Sequence, residues 1–130
     1  MIYPQSSIES EPYWSGLVNH ELLLQSCADC ETVRHYPRPM CDNCYSFNYN
    51  WIKASGDASI YSWTECYHAF HSSFSEKIPY TLVTATLKEG PRMLAPLRQR
   101  TKIDLRLGMK LRLNYNEVSS DLTLPSFSVV

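Results

Sequence analysis

The spacing of apolar positions changes along the chain and predicts one helix followed by extended segments. Residues 1–9 read as a loose start. Trp14, Leu17 and Val18 then recur at helical spacing behind Ser10-Glu11-Pro12, which predicts a short amphipathic helix ending near Asn19. Ser10 suits the N-cap, and Glu11 and Pro12 suit the first turn. Leu22-Leu23-Leu24-Gln25 reads as a strand running into Cys27, and Thr32 to Tyr36 as a second strand ended by Pro37 and Pro39. From Phe47 onward the pattern is all-β. Strands are predicted at Tyr49–Ala54, Ile60–Tyr67, Tyr80–Leu87, from Arg92, and at Lys110–Tyr115. In the last of these, Leu111, Leu113 and Tyr115 alternate with Lys110, Arg112 and Asn114, as a half-buried strand requires. Residues 122–129 form a final strand, expected at an edge because Pro125 cannot donate to a ladder. Ser55-Gly56-Asp57 and Lys88-Glu89-Gly90-Pro91 are turns, and Phe70 to Ile78 is a loop carrying Ser72, Ser73 and Ser75. Arg98 to Gly108 reads as an excursion between strands.

Cysteine spacing adds an architecture to this pattern. Cys27 and Cys30 form one C-x2-C pair, Cys41 and Cys44 a second, with ten residues between the pairs. Two residues between cysteines let the chain turn back so that both sulfurs reach one ion, and two such turns supply a tetrahedron. Zinc is the expected ion, and four-sulfur iron, as in an electron carrier, is the alternative. Four protein ligands leave no open position, so the expected zinc is structural, one per chain. Strand, knuckle, strand, knuckle is the layout of a zinc ribbon, whose small core makes the metal a main source of folding energy. Five or six short strands in the roughly 80 residues that follow suggest a small closed barrel, with the OB-fold as natural candidate. The expected fold is therefore all-β, with an N-terminal segment and helix at 1–20, a rubredoxin-like ribbon at 21–46 and an OB-fold at 47–130.

Composition narrows the function classes. The chain has 130 residues, 44% of them hydrophobic and 19% charged, which suits a packed core and excludes wholesale disorder. A net charge of −1 excludes a general polycation for nucleic acid. No apolar run reaches the roughly 20 residues needed to cross a bilayer as a helix. The N-terminus lacks the basic and apolar regions of a signal peptide, so a cytoplasmic protein with reduced thiols is expected.

The ordered motifs resemble a known family, in which an N-terminal rubredoxin-like zinc ribbon precedes an OB-fold. It is the acyl-CoA-associated family long catalogued as a domain of unknown function. The matching residues are Tyr13-Trp14, Leu22 to Cys30, Tyr36 to Cys44, Ala54 to Thr64, Ile78-Pro79-Tyr80, Leu87 to Arg92, Asp104 to Met109 and Leu124 to Phe127. The family often has Gly after the second cysteine of the first knuckle, where this chain has Glu31; a left-handed Glu there would cost about 1 kcal/mol. Asp57-Ala58 likewise replaces a small residue that often follows Ser55-Gly56. The resemblance implies an accessory subunit, not catalytic alone, that docks to a thiolase-fold enzyme. It would help to hold CoA or acyl-CoA during acyl transfer, condensation or retro-aldol chemistry, in a larger complex that can include further copies of the chain.

Several constellations bear on that expectation. Arg92, Arg98, Arg100, Lys102, Arg106, Lys110 and Arg112 supply seven of the twelve Lys and Arg, with only Asp104 among them. Arg98, Arg100 and Lys102 are candidates to pair with CoA phosphates. An acidic patch of a partner and a plain solvated face are the competing readings of the same residues. Cys66, His68 and His71 stand close in sequence, but no third orienting group or oxyanion-forming turn accompanies them. A single strand Cys is more often a buried inert thiol. His71 and Tyr80 are candidates to touch ligand. Tyr61, Trp63, Tyr67 and Tyr80 could stack on an adenine or on single-stranded bases, although alternation expects some of them in the core. A single-stranded nucleic-acid binder is accordingly the rival reading, disfavoured by the overall acidic balance.

Overall fold

The computed structural model describes residues 3–98 and 104–130. The one α-helix among the described residues, α1 (Glu11–Val18), begins after Ser10 with a proline in its first turn. Ser10 does not cap this helix with its side chain. Its Oγ instead accepts from the Ser7 backbone N–H at 2.8 Å, closing the turn before the helix. At the other end, Glu21 N–H reaches the Gly16 carbonyl at 2.8 Å and His20 N–H the Leu17 carbonyl at 2.9 Å, the paired bonds of a Schellman stop. His20 occupies the left-handed position at φ 58°, where glycine is usual. Its ring compensates by stacking on Tyr115 at 4.9 Å and bonding Glu117 Oε1 at 2.8 Å, which ties the helix end to a barrel strand. Gly16 is required by close approach, because a Cβ there would lie 2.8 Å from the Glu21 carbonyl and 2.9 Å from Leu23 Cγ.

Two sheets follow. The first has three strands in the order β2-β1-β3: β1 (Leu23–Cys27), β2 (Val33–Arg34) and β3 (Tyr49–Lys53). The strand expected over Thr32–Tyr36 shrinks to two residues. β3 pairs antiparallel with β1 along its whole length, from Leu23 opposite Lys53 to Cys27 opposite Tyr49. Its ladder partner is thus a ribbon strand, although its sequence reads continuously with the barrel.

The second sheet has five strands in the order β6-β5-β4-β7-β8. These are β4 (Asp57–Cys66), β5 (Tyr80–Leu87), β6 (Arg92–Pro96), β7 (Lys110–Glu117) and β8 (Thr123–Val129). The sheet nearly closes on itself. Leu97 bridges Phe127 in parallel, and Arg98 N–H donates to the Phe127 carbonyl at 2.6 Å. Pro125 lies opposite Tyr115 in β8, which ends the strand order as expected. The architecture is mostly β, with one short helix, a four-cysteine cluster and an OB-like barrel.

The interior is one continuous cluster. Leu17, Leu22, Leu24 and Ala54 pack with Ile60, Val83, Ala85, Leu87, Met93, Leu111, Leu113 and Phe127. Helix and ribbon therefore lean on the barrel rather than standing apart. The aromatics of β4 do not join this core. Tyr61 and Trp63, with Tyr67 just beyond the strand, are all exposed, against the expectation that some are internal. The reason is topological: β7 covers only Asp57–Ser59, whereas β5 alone accompanies β4 as far as Cys66. Beyond Ile60 only β5 flanks the strand, and residues 61–65 are exposed on both faces.

Candidate metal centre and its surroundings

The two cysteine pairs sit in knuckles of the same construction. Cys27 O accepts from Glu31 N–H and Cys41 O from Tyr45 N–H, each at 3.0 Å. Cys27 N–H donates to Thr32 O and Cys41 N–H to Ser46 O, each at 2.9 Å. Each knuckle places the residue after its second cysteine in the left-handed region, Glu31 at φ 63° and Tyr45 at φ 64°. Glu31 thus adopts the left-handed conformation despite its cost, and the second knuckle repeats the strain on a tyrosine. Side chains brace the pair: Ser46 Oγ donates to the Asp29 carboxylate, and Asn43 Nδ2 reaches Thr32 Oγ1 at 3.4 Å.

The knuckles bring Cys27, Cys30, Cys41 and Cys44 together, with all four sulfurs within 4.8 Å of one another. Cys27 and Cys44 Sγ lie 3.5 Å apart, and Cys30 and Cys41 Sγ 3.6 Å. A Zn–S bond of about 2.3 Å sets tetrahedral sulfur–sulfur distances of about 3.8 Å, so the donor set fits zinc. Proton affinities at the cluster diverge. Thr32 and Asn43 side chains stabilise the Cys30 thiolate and pull it to about 5, and the Cys30 and Asp29 backbone lowers Cys27. For Cys44, a backbone bond at Ser46 lowers the value, but Cys27, desolvation, Cys30 and Cys41 outweigh it and push it up to about 12. Sulfurs this crowded cannot all ionise without a cation among them. A bound zinc would supply that charge, and with four thiolates around it the centre would be closed to water and substrate.

Of the other expected site residues, Arg98, His71 and Tyr80 are described. Arg98 is exposed at the end of β6, while Arg100 and Lys102 lie outside the described residues. His71 is exposed and already engaged, since its Nδ1 accepts from the Ser73 backbone N–H at 3.1 Å and caps a short 3-10 turn at Ser72–Phe74. Tyr80 is half-buried opposite Cys66, and desolvation together with that thiol raises its pKa. His68 packs edge-on against Phe70 at 4.6 Å.

Sequence reasoning missed a buried polar group beside the ribbon. Gln25, Arg34 and His35 are all buried. Gln25 Oε1 accepts from Arg34 Nε at 2.7 Å and from Arg38 N–H at 2.9 Å, and Arg34 Nη2 donates to the Arg38 carbonyl at 2.9 Å. Burial pushes the His35 imidazole down to about 4. Nothing in a two-residue strand announces that its arginine faces inward.

Known proteins share both halves of this arrangement. A family model described as ChsH2, rubredoxin-like zinc ribbon domain, matches residues 14–50, and one described as ChsH2, C-terminal OB-fold domain, matches residues 51–116. The chain belongs to the ChsH2 family. A solved ChsH2-family structure titled "Ltp2-ChsH2(DUF35) aldolase" superposes with a TM-score of 0.84 at 30% identity, covering 98% of both chains. A DUF35 protein of unknown function from Sulfolobus solfataricus shares the fold at TM-score 0.67 and 16% identity, over 98% of this chain and 90% of that one. Two curated relatives are larger. One is a probable enoyl-CoA hydratase alpha subunit of Thermomonospora curvata, 35% identical over 88% of this chain and 35% of that protein. The other is the 3-oxo-4,17-pregnadiene-20-carboxyl-CoA hydratase alpha subunit of Mycobacterium tuberculosis, 30% identical over 88% of this chain and 36% of that protein. The ChsH2-family chain thus spans about a third of the length of the curated relatives it matches.

Proposed function

We propose that this chain is an accessory subunit that docks to a thiolase-fold enzyme and helps to hold an acyl-CoA during its chemistry, in the cytoplasm. The observation that carries the reading is the end-to-end likeness to a ChsH2 chain whose structure is titled as an aldolase with Ltp2. Both curated relatives carry CoA-linked substrates in their names, which favours an acyl-CoA as the shared chemistry. The chain's own features agree with a docking role. Cys27, Cys30, Cys41 and Cys44 would hold one zinc and stiffen the ribbon without offering a reactive metal. Tyr61, Trp63, Tyr67 and Phe70 are exposed on or just beyond β4, giving apolar area of the kind that protein partners cover. Arg98, with Arg100 and Lys102, remains the proposed contact for CoA phosphates, and His71 and Tyr80 the proposed ligand neighbours.

The test is reconstitution. A thiolase-fold enzyme from the same cell, co-expressed with this chain, should co-purify at fixed stoichiometry and turn over an acyl-CoA substrate. The enzyme alone should lose most of that activity. A thiolase-fold enzyme that is fully active alone and never associates with this chain would contradict the proposal.

A further inference from the structure

Between the ribbon and the barrel lies an open cleft of about 400 Å³, lined on one side by Thr32–His35 and Arg38 and on the other by Thr86 and Gly90–Arg92. Its charge is unbalanced: Arg34, Arg38 and Arg92 face one carboxylate, Asp42, which pairs with Arg38 at 3.5 Å. Arg34 is only 4% exposed. Gln25 Oε1, the Arg38 carbonyl and the Tyr49 ring face its guanidinium, but no carboxylate does among the described residues, and its Nη1 has no hydrogen-bond partner. His35, 8% exposed, has both ring nitrogens without partners. A buried guanidinium with no counter-charge, and buried nitrogens without hydrogen bonds, are costly, and such groups are usually satisfied by a ligand, an ion or water. Arg92 is held over the Tyr61 ring at 3.7 Å. The hairpin turn beside it is open, with no atom within 4 Å of where a Gly90 Cβ would stand.

We propose that this cleft is an oxyanion site for a phosphate monoester, and Arg98 is not among its lining residues. Arg34 and His35 would bind from the floor, and Arg38 and Arg92 from the rim. A phosphate monoester brings three terminal oxygens and close to two negative charges, so it answers three guanidinium groups more fully than the two oxygens and single charge of a carboxylate. The cleft has room for more than a bare ion, so the phosphate would be attached to a larger molecule. The inference rests on the cleft alone and stands whether or not the chain docks to a thiolase-fold enzyme.

The test uses the zinc-loaded full chain and inorganic phosphate, followed by calorimetry and by amide chemical shifts. Saturable binding is expected, with shifts concentrated at Arg34, His35, Gly90 and Arg92. Arg92→Gln, at an exposed position, and Arg38→Gln, at a half-buried one, should each weaken binding about tenfold, as expected for one lost charge-assisted hydrogen bond. Arg98→Gln should leave it unchanged. Arg34→Lys, which keeps the charge and loses the fork, should weaken it further if the variant folds. Shifts elsewhere, no saturable binding, equal affinity for acetate, or rim variants that bind like the parent would each overturn the proposal.

Discussion

The ribbon and the barrel are stabilised by different means. The barrel closes five strands around Ile60, Val83, Ala85, Leu87, Met93, Leu111, Leu113 and Phe127, a core that apolar burial can support on its own terms. The ribbon has a two-residue strand, two knuckles with residues at positive φ, and a face occupied by Gln25, Arg34 and His35. Its apolar contribution comes from Leu22, Leu24 and the helix, and those residues pack into the barrel's cluster. The lesson is that the ribbon's outer half depends on its metal, while its inner half depends on its neighbour.

Metal removal should split the two most sharply. Chelation at neutral pH, or Cys41→Ser, should abolish amide-exchange protection in the knuckles while Tyr80–Leu87 stays protected. Structural zinc binding is worth about 10–16 kcal/mol in small ribbons, more than the knuckles can replace. Collapse of β5 along with the knuckles would show that the two halves fold only together.

The barrel should respond to core truncation instead. Phe127 is fully buried at the point where β8 meets the end of β6, so Phe127→Ala should cost about 3–5 kcal/mol in denaturant unfolding without loosening zinc. Zinc release at the same denaturant concentration as barrel unfolding would argue against separate supports.

Acid should act through the ribbon. The folded His35 value of about 4 lies below the usual imidazole value of 6.5, so the unfolded chain binds the proton more readily. Stability is then undiminished by His35 above about pH 6.5 and falls as pH drops from there toward 4, by up to about 3 kcal/mol. His35→Gln should flatten that part of the stability–pH curve relative to the parent. An unchanged slope would mean that His35 ionises freely.

The junction offers smaller effects. Gly16→Ala should cost about 1–3 kcal/mol, because its methyl group meets the Glu21 carbonyl. Glu117→Gln should cost no more than about 1 kcal/mol, since the His20–Glu117 pair is solvent-exposed. Thermal unfolding of both variants checks the order.

What the sequence reveals follows the same division. Lys110–Tyr115 was legible because alternation over six residues records a half-buried strand directly, and Tyr80–Leu87 because an apolar and threonine-rich run is bounded by Pro79 and the Lys88–Pro91 turn. The four cysteines were legible because metal geometry restricts their spacing. Periodicity identifies β3 as a strand but cannot say that its partner is β1. Ser10 has the right chemistry for a cap, yet its hydroxyl is taken by Ser7. The exposure of Tyr61 and Trp63 depends on where β7 stops pairing with β4, which no local pattern contains. Arg34 and His35 were illegible because their burial comes from the fold around them rather than from their own strand.

The docking claim is tested most directly by native mass spectrometry of the protein purified gently from its own cells. The account predicts an assembly containing this chain, one zinc per copy and a thiolase-fold chain, with a CoA-sized adduct retained. A lone zinc-loaded monomer, an iron-bearing chain, or a chain carrying oligonucleotide would contradict it.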